Sequence, residues 1–106
     1  MVMPEDTAMH CGIAIPQTLP DSPVDMGLVK GYVQRAEALG YDSLWVQEQI
    51  IGVTPNLEPL SLLAYVAAVT EKIRLGTAVL ILTARNPVLL AKQLSSLDRM
   101  SDGRLI

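Results

Sequence analysis

The sequence predicts an α/β fold, and within that class a partial (β/α)8 TIM barrel of about the first three and a half strand-helix units. Three observations predict it. Apolar strand runs alternate with helical runs three times along the 106 residues. The connections after the strands are long and polar, whereas those before them are short. Finally, RLGTAVLILTARNPVLLAKQLSSLDRMSDGR, from Arg74 to Arg104, reads as one complete strand, loop, helix and returning turn, after which Leu105 and Ile106 begin another strand. A parallel sheet left at its fourth strand is unfinished.

The elements follow in order. Residues 1–9 read as a loose lead-in to a domain over 10–106, and Gly12 to Pro16 as a short apolar strand. Ser22-Pro23-Val24-Asp25 reads as a helix start, with a capping hydroxyl, a proline in the first turn and a carboxylate three residues on. Val24, Leu28, Tyr32, Ala36 and Leu39 then share a face, and Gly27 with Gly31 gives a G-x-x-x-G that reads as a close-packing site. Gly40 supplies a left-handed stop, and Tyr41 to Val46 form the second strand. A polar loop from Glu48 to Leu57 leads to Glu58-Pro59 and a helix to about Lys72, with Leu63, Val66, Ala67 and Thr70 on its inner side. The third strand runs from Leu75 to Leu82, broken by Thr83 to Asn86. Asn86-Pro87 opens a helix with Val88, Ala91, Leu94 and Leu97 at helical spacing, and Asp102-Gly103 turns the chain back.

Strand-helix-strand order in parallel implies right-handed crossovers and helices covering the sheet. Two architectures compete. A doubly wound nucleotide-binding sheet wants a glycine-rich turn directly after its first strand, where backbone N–H groups approach a phosphate. That turn here is PQTLPDSP, without glycine. Long loops above the strands and short ones below agree with the barrel.

Composition excludes several classes. Half of the residues are hydrophobic, enough for a buried core. The eight basic residues are scattered and the net charge is −3, so no basic stripe exists to neutralise nucleic-acid phosphates. Leu60 to Val69, the longest strongly apolar run, falls short of the roughly 20 residues of a membrane span. The acidic, proline-containing start is unlike a secretory signal. The lone Cys11 forms no internal disulfide, which points to a reducing, cytoplasmic setting.

The segment Gly40-Tyr41-Asp42-Ser43-Leu44-Trp45-Val46 resembles the luciferase-like flavin monooxygenase family, which includes coenzyme F420-dependent oxidoreductases. So do Ala67 to Thr77 (AAVTEKIRLGT), the Asn86-Pro87-Val88 helix start, and Leu97-Asp98 with Ser101-Asp102-Gly103-Arg104, in the same order over residues 12–106. The resemblance implies a (β/α)8 barrel with FMN or F420 bound at the C-terminal ends of the strands, acting on a small-molecule substrate by hydride transfer or oxygen activation. It places Glu48, Gln49, Thr77, Ala78 and Val79 near the isoalloxazine-type ring, with a cis peptide at Ala78-Val79. Members often have histidine where Gln49 stands, and an amide cannot titrate near neutrality, so no catalytic residue is assigned. The family's phosphate-binding loops lie beyond the fourth strand, outside this chain.

Other residues carry plainer readings. Trp45 reads as a core aromatic, His10 and Cys11 as structural, Arg85 as an exposed loop residue, and Asp98 with Arg104 as a pair across the last turn. No metal site is expected. The function that follows is an N-terminal fragment of a flavin- or F420-dependent oxidoreductase or monooxygenase, inactive alone. The alternatives are a truncated product that folds only with a partner chain, or a small ligand-binding β/α domain. An open strand edge and an uncovered inner face carrying Ile13, Ile15, Leu44, Val46, Val79 and Ile81 lead us to expect self-association or a complementing chain.

Overall fold

The computed structural model describes residues 9–106; the rest of the expected lead-in lies outside the described residues. The element order is β1 (Gly12–Ala14), α1 (Met26–Ala38), β2 (Ser43–Val46), α2 (Pro59–Val69), β3 (Arg74–Thr77) and α3 (Pro87–Met100), with a short 3-10 turn at Leu82–Ala84. The three strands pair in parallel in the order β1-β2-β3, and Leu105 begins a further parallel pairing against Leu75. The reading of three β/α units and a started fourth strand is met by this topology.

The register decides which face of the sheet is which. Ile13, Leu44 and Leu75 form one row across the strands, and this aliphatic row, with Ile15 and Val46, lies in the core with Val29, Val33, Leu63 and Val66 of the helices. Leu44, Leu63 and Leu75 are fully buried, each contributing about 1.5–3 kcal/mol relative to exposure. The expectation that Ile13, Ile15, Leu44 and Val46 line the uncovered face is therefore wrong. Alternation along a strand separates two faces without saying which is covered, and the branched side chains go beneath the helices. The other face carries Gly12, Ala14, Ser43, Trp45 and Gly76, with Gly12 and Ala14 exposed. Trp45 lies flat across it, only half-buried, with its indole N–H donating to Ser43 Oγ at 2.7 Å. It belongs to this open face and not to the aliphatic core.

Helix boundaries shift where a better acceptor exists. Asp25, not Ser22, caps α1, its carboxylate accepting from the Leu28 N–H at 3.2 Å, because a carboxylate suits the positive helix end better than a hydroxyl. The Ser22-Pro23 bond, cis here, lies before the helix. The buried face of α1 is Val29, Val33 and Ala36, while Leu28 and Leu39 are exposed. The G-x-x-x-G reading fails too, since a side chain at Gly31 would meet nothing within 4 Å. In α2 the expected Leu63, Val66 and Ala67 are buried. In α3 the inward positions are Leu90 and Leu97, with Leu94 half-buried and Val88 exposed. Gly40 and Gly103 adopt the positive φ expected of stop residues, +89° and +78°.

Arg104 does not pair with Asp98. It is buried beneath the end of α2 and donates to the carbonyls of Ala67 (2.8 Å), Thr70 (3.2 Å), Ile73 (3.2 Å) and Ser101 (2.7 Å), and to Thr70 Oγ1 (2.8 Å). Carbonyls left over at a helix end need donors, and a guanidinium can serve several at once. Glu37 closes the same turn from outside, accepting from the N–H groups of Glu71, Lys72 and Ile73. Burial pushes its carboxyl up, but those N–H groups and Arg104 outweigh this and the net direction is down.

Candidate cofactor site at the strand ends

Parallel α/β sheets put their chemistry at the C-terminal ends of the strands, and here three segments meet there. β1 continues into Ile15 to Thr18, β2 into Gln47 to Gln49, and β3 into Ala78 to Ile81. The ladder outlasts the strands: Ile15 N–H donates to Trp45 O at 2.9 Å and Ala78 N–H to Val46 O at 2.7 Å. Between the segments lies a cleft of about 380 Å³ lined by Ala14, Ile15, Pro16, Gln17, Thr18, Trp45, Val46, Gln47 and Ala78. A larger cavity, about 540 Å³, opens at the opposite end beside His10, Tyr41, Asp42, Lys72 and Arg74. We take the strand-end cleft as the site, because the long connections converge there and the other cavity faces the short ones.

The third strand ends five residues earlier than expected. β2 stops at Val46, so beyond Ala78 there is no strand for β3 to pair with, and Val79 and Ile81 turn outward to solvent. The Ala78-Val79 bond is cis, as the resemblance implies. Of the five residues assigned to the ring, Ala78 lines the cleft, while Thr77 and Val79, its neighbours in the chain, do not.

Glu48 and Gln49 are occupied elsewhere. Gln49 Oε1 accepts from Thr54 Oγ1 at 2.8 Å and Asn56 Nδ2 at 2.6 Å, folding the β2–α2 loop on itself. The Glu48 side chain is almost fully buried, accepting from Ile81 N–H at 2.9 Å and Arg85 Nε at 3.0 Å, while Arg85 Nη2 closes a second contact to Glu48 Oε2. Arg85 Nη2 also reaches Glu58 Oε2 at 3.1 Å. Arg85 is thus not the free loop residue expected; its side chain is 14% exposed. Hydrogen bonding from Arg85 holds the Glu48 carboxyl below the usual range, and Glu48 in turn raises Arg85. Burial pushes Glu58 up, but the Leu60 N–H, Ser61 and Arg85 bring it down on balance. Both carboxylates are ionised at neutral pH, so neither is a proton donor there.

The sequence reading missed Gln17. Buried just past β1, its amide donates to the carbonyls of Gln47 and Leu57, the latter at 2.8 Å, and accepts from Gln47 N–H at 3.0 Å. It joins the first two loops and lines the cleft. The available signal is a polar residue directly after an apolar strand, in the glycine-free turn PQTLPDSP. Gln47 and Ala14 were also passed over.

The luciferase-like monooxygenase family model matches residues 9–106. The chain belongs to that family. It is 34% identical over 82 residues to the F420-dependent glucose-6-phosphate dehydrogenase of Amycolatopsis mediterranei, a match covering 71% of this chain and 24% of that protein. It is 33% identical over 72 residues to the alkanal monooxygenase alpha chain of Photorhabdus luminescens, covering 65% and 19%. The chain therefore spans about a quarter or less of these relatives. Among solved structures, the coenzyme F420-dependent tetrahydromethanopterin reductase of Methanopyrus kandleri is similar with a TM-score of 0.74 at 27% identity, covering 92% of this chain and 25% of that one. The oxygenating component of 3,6-diketocamphane monooxygenase from Pseudomonas putida, solved with FMN, gives 0.79 at 21% identity, covering 93% and 28%, a likeness of fold.

The cleft lining suits one part of a flavin-type cofactor and not another. Small or flat residues, Ala14, Trp45 and Ala78, leave room for an aromatic ring, and Gln47 offers an amide at its edge. No charged side chain lines the cleft, so a phosphate tail has no counter-charge there. Among the described residues no cluster suited to a metal ion occurs, and no helix is long and apolar enough to cross a membrane.

Proposed function

We propose that this chain forms the first three and a half β/α units of a barrel oxidoreductase or monooxygenase using FMN or F420, with the strand-end cleft as the wall against which the ring lies. The observation that carries the reading is the uncharged cleft of Ala14, Trp45, Gln47 and Ala78 in a chain of this family. The bound cofactor supplies the hydride transfer or oxygen activation. The chain's own part is to shape and hold the ring site: Ala78 forms its near wall with Thr77 and Val79 on either side of it in the chain, and Glu48 and Gln49 brace the loops behind it. The absence of a charged side chain from the cleft lining, in a chain that spans about a quarter or less of its relatives, supports treating the 106 residues as a part that does not act alone. The open sheet face and edge support self-association or a complementing chain when those residues are isolated. The lone, free Cys11 supports a reducing, cytoplasmic compartment.

The test is a titration of FMN and of F420 into the complete protein containing this chain, alongside Ala78→Phe. Tight binding of one cofactor, weakened at least tenfold by filling the cleft, is expected. Absence of binding to both, or affinity indifferent to Ala78→Phe, would remove the reading.

A further inference from the structure

We propose that Glu48 and Arg85 are positioning residues, a buried ionic clamp that fixes the Ala78 to Ile81 ribbon and so sets cofactor affinity without touching the cofactor. The proposal rests on the cofactor reading above. Beyond β3 the ribbon's packing against the core comes from the half-buried Leu80. Val79 is 72% exposed and Ile81 37%, and no strand pairs with them. Three hydrogen bonds tie it to the end of β2 and the residues after it: Ala78 N–H to Val46 O, Glu48 N–H to Val79 O at 3.3 Å, and Ile81 N–H to the Glu48 carboxylate, while Ala84 N–H to Ile81 O at 3.1 Å closes the local turn. Two of the three end on Glu48.

Glu48 itself is held by Arg85. The guanidinium grips both carboxylate oxygens and extends to Glu58, whose carboxylate caps α2 through the N–H groups of Leu60 (2.7 Å) and Ser61 (3.2 Å). Arg85 directly precedes Asn86, the cap of α3. One planar group therefore joins the end of β2 and the starts of α2 and α3, which no single-point ammonium can reproduce. Neither Glu48 nor Arg85 lines the cleft, whereas Ala78, at the root of the ribbon, does. Loss of the clamp leaves the ligand-facing groups chemically unchanged and frees the segment that carries Ala78.

The experiment compares wild type, Arg85→Met, Arg85→Lys, Glu48→Gln/Arg85→Met and Leu97→Ala in the complete protein. Leu97 is a buried α3 residue away from the cleft and controls for general destabilisation. Two readouts are taken: amide hydrogen exchange at Ile81 without ligand, and the Kd for FMN and for F420. Arg85→Met should speed Ile81 exchange and raise Kd at least tenfold, with Arg85→Lys recovering only part of the loss. The double variant should be more stable than Arg85→Met, since it no longer buries an unpaired carboxylate. Leu97→Ala should lower stability while leaving Kd within about twofold. Unchanged Ile81 exchange in Arg85→Met, or equal loss of affinity in Arg85→Met and Leu97→Ala, would overturn the proposal. If wild type binds neither cofactor, the cofactor reading and the affinity claim both fall, and Ile81 exchange alone then decides whether the clamp exists.

Discussion

Gly76 lies beneath the Trp45 ring, and replacing it with alanine is the sharpest probe of the open face. A Cβ there would stand 2.5 Å from Trp45 Cζ3, 2.7 Å from Cε3 and 2.9 Å from Cη2. Carbon atoms rest about 3.5–4.0 Å apart, so the indole must move by about 1 Å. It cannot slide freely, because its N–H is tied to Ser43 Oγ. Overpacking of this kind costs about 1–3 kcal/mol, and the removal of glycine's extra unfolded-state freedom returns about 0.5–1 kcal/mol. The expected net effect therefore runs from about zero to a loss of about 2.5 kcal/mol, accompanied by a changed Trp45 emission spectrum and a broken indole hydrogen bond. Gly31→Ala is the matched control: the position is exposed, inside α1, and open around its Cβ, so stability should rise by about 0.5–1 kcal/mol with Trp45 unaffected. Urea unfolding of both variants, with tryptophan emission recorded in the native state, decides the matter. Gly76→Ala with wild-type stability and an unchanged spectrum would refute the placement of Trp45 on this face.

Three further outcomes are expected. Arg104→Met should cost about 3 kcal/mol or more, since it strips a shared donor from the carbonyls of Ala67, Thr70, Ile73 and Ser101, whereas Asp98→Asn should stay within about 0.5 kcal/mol; thermal melts distinguish them. Glu48 has its folded-state pKa lowered by Arg85, so its contribution is complete above the unfolded value of about 4.3 and is lost as pH falls through the lowered folded value. Acid unfolding should therefore be shallower in Glu48→Gln than in wild type, as measured by stability across pH 2 to 6, and identical curves would contradict the clamp. The 106-residue chain in isolation should bind FMN or F420 weakly and self-associate, which analytical ultracentrifugation and a fluorescence titration would show; a monodisperse monomer with sub-micromolar affinity would contradict the fragment reading.

Much of the fold was legible because it rests on local chemistry. Glycines at positive φ after α1 and α3, Pro87 behind the Asn86 cap and the apolar face of α2 each announce themselves in the residues. What was not legible depends on partners distant in sequence. Which strand face meets the helices depends on a layer that alternation alone does not locate, so Leu44 and Val46 were assigned to the wrong side. Arg104 takes five acceptors spread over α2 and two turns, and its nearest acidic residue in sequence is not among them. Arg85 and Glu48 are far apart along the chain, and their pairing needs the two loops to leave the sheet side by side. At the strand ends, family resemblance indicated the cis bond at Ala78-Val79, while most of the cleft lining comes from residues it did not single out, among them Ala14, Gln17, Trp45 and Gln47.

The central claim is that the strand-end cleft is the wall of a flavin-type ring site, and a crystal structure of the complete protein with FMN or F420 bound tests it most directly. The account predicts the ring in van der Waals contact with Ala78, within the cleft lined by Gln17 and Gln47, and its phosphate outside that cleft. A ring bound instead at the opposite end of the sheet, among His10, Tyr41, Lys72 and Arg74, would contradict it.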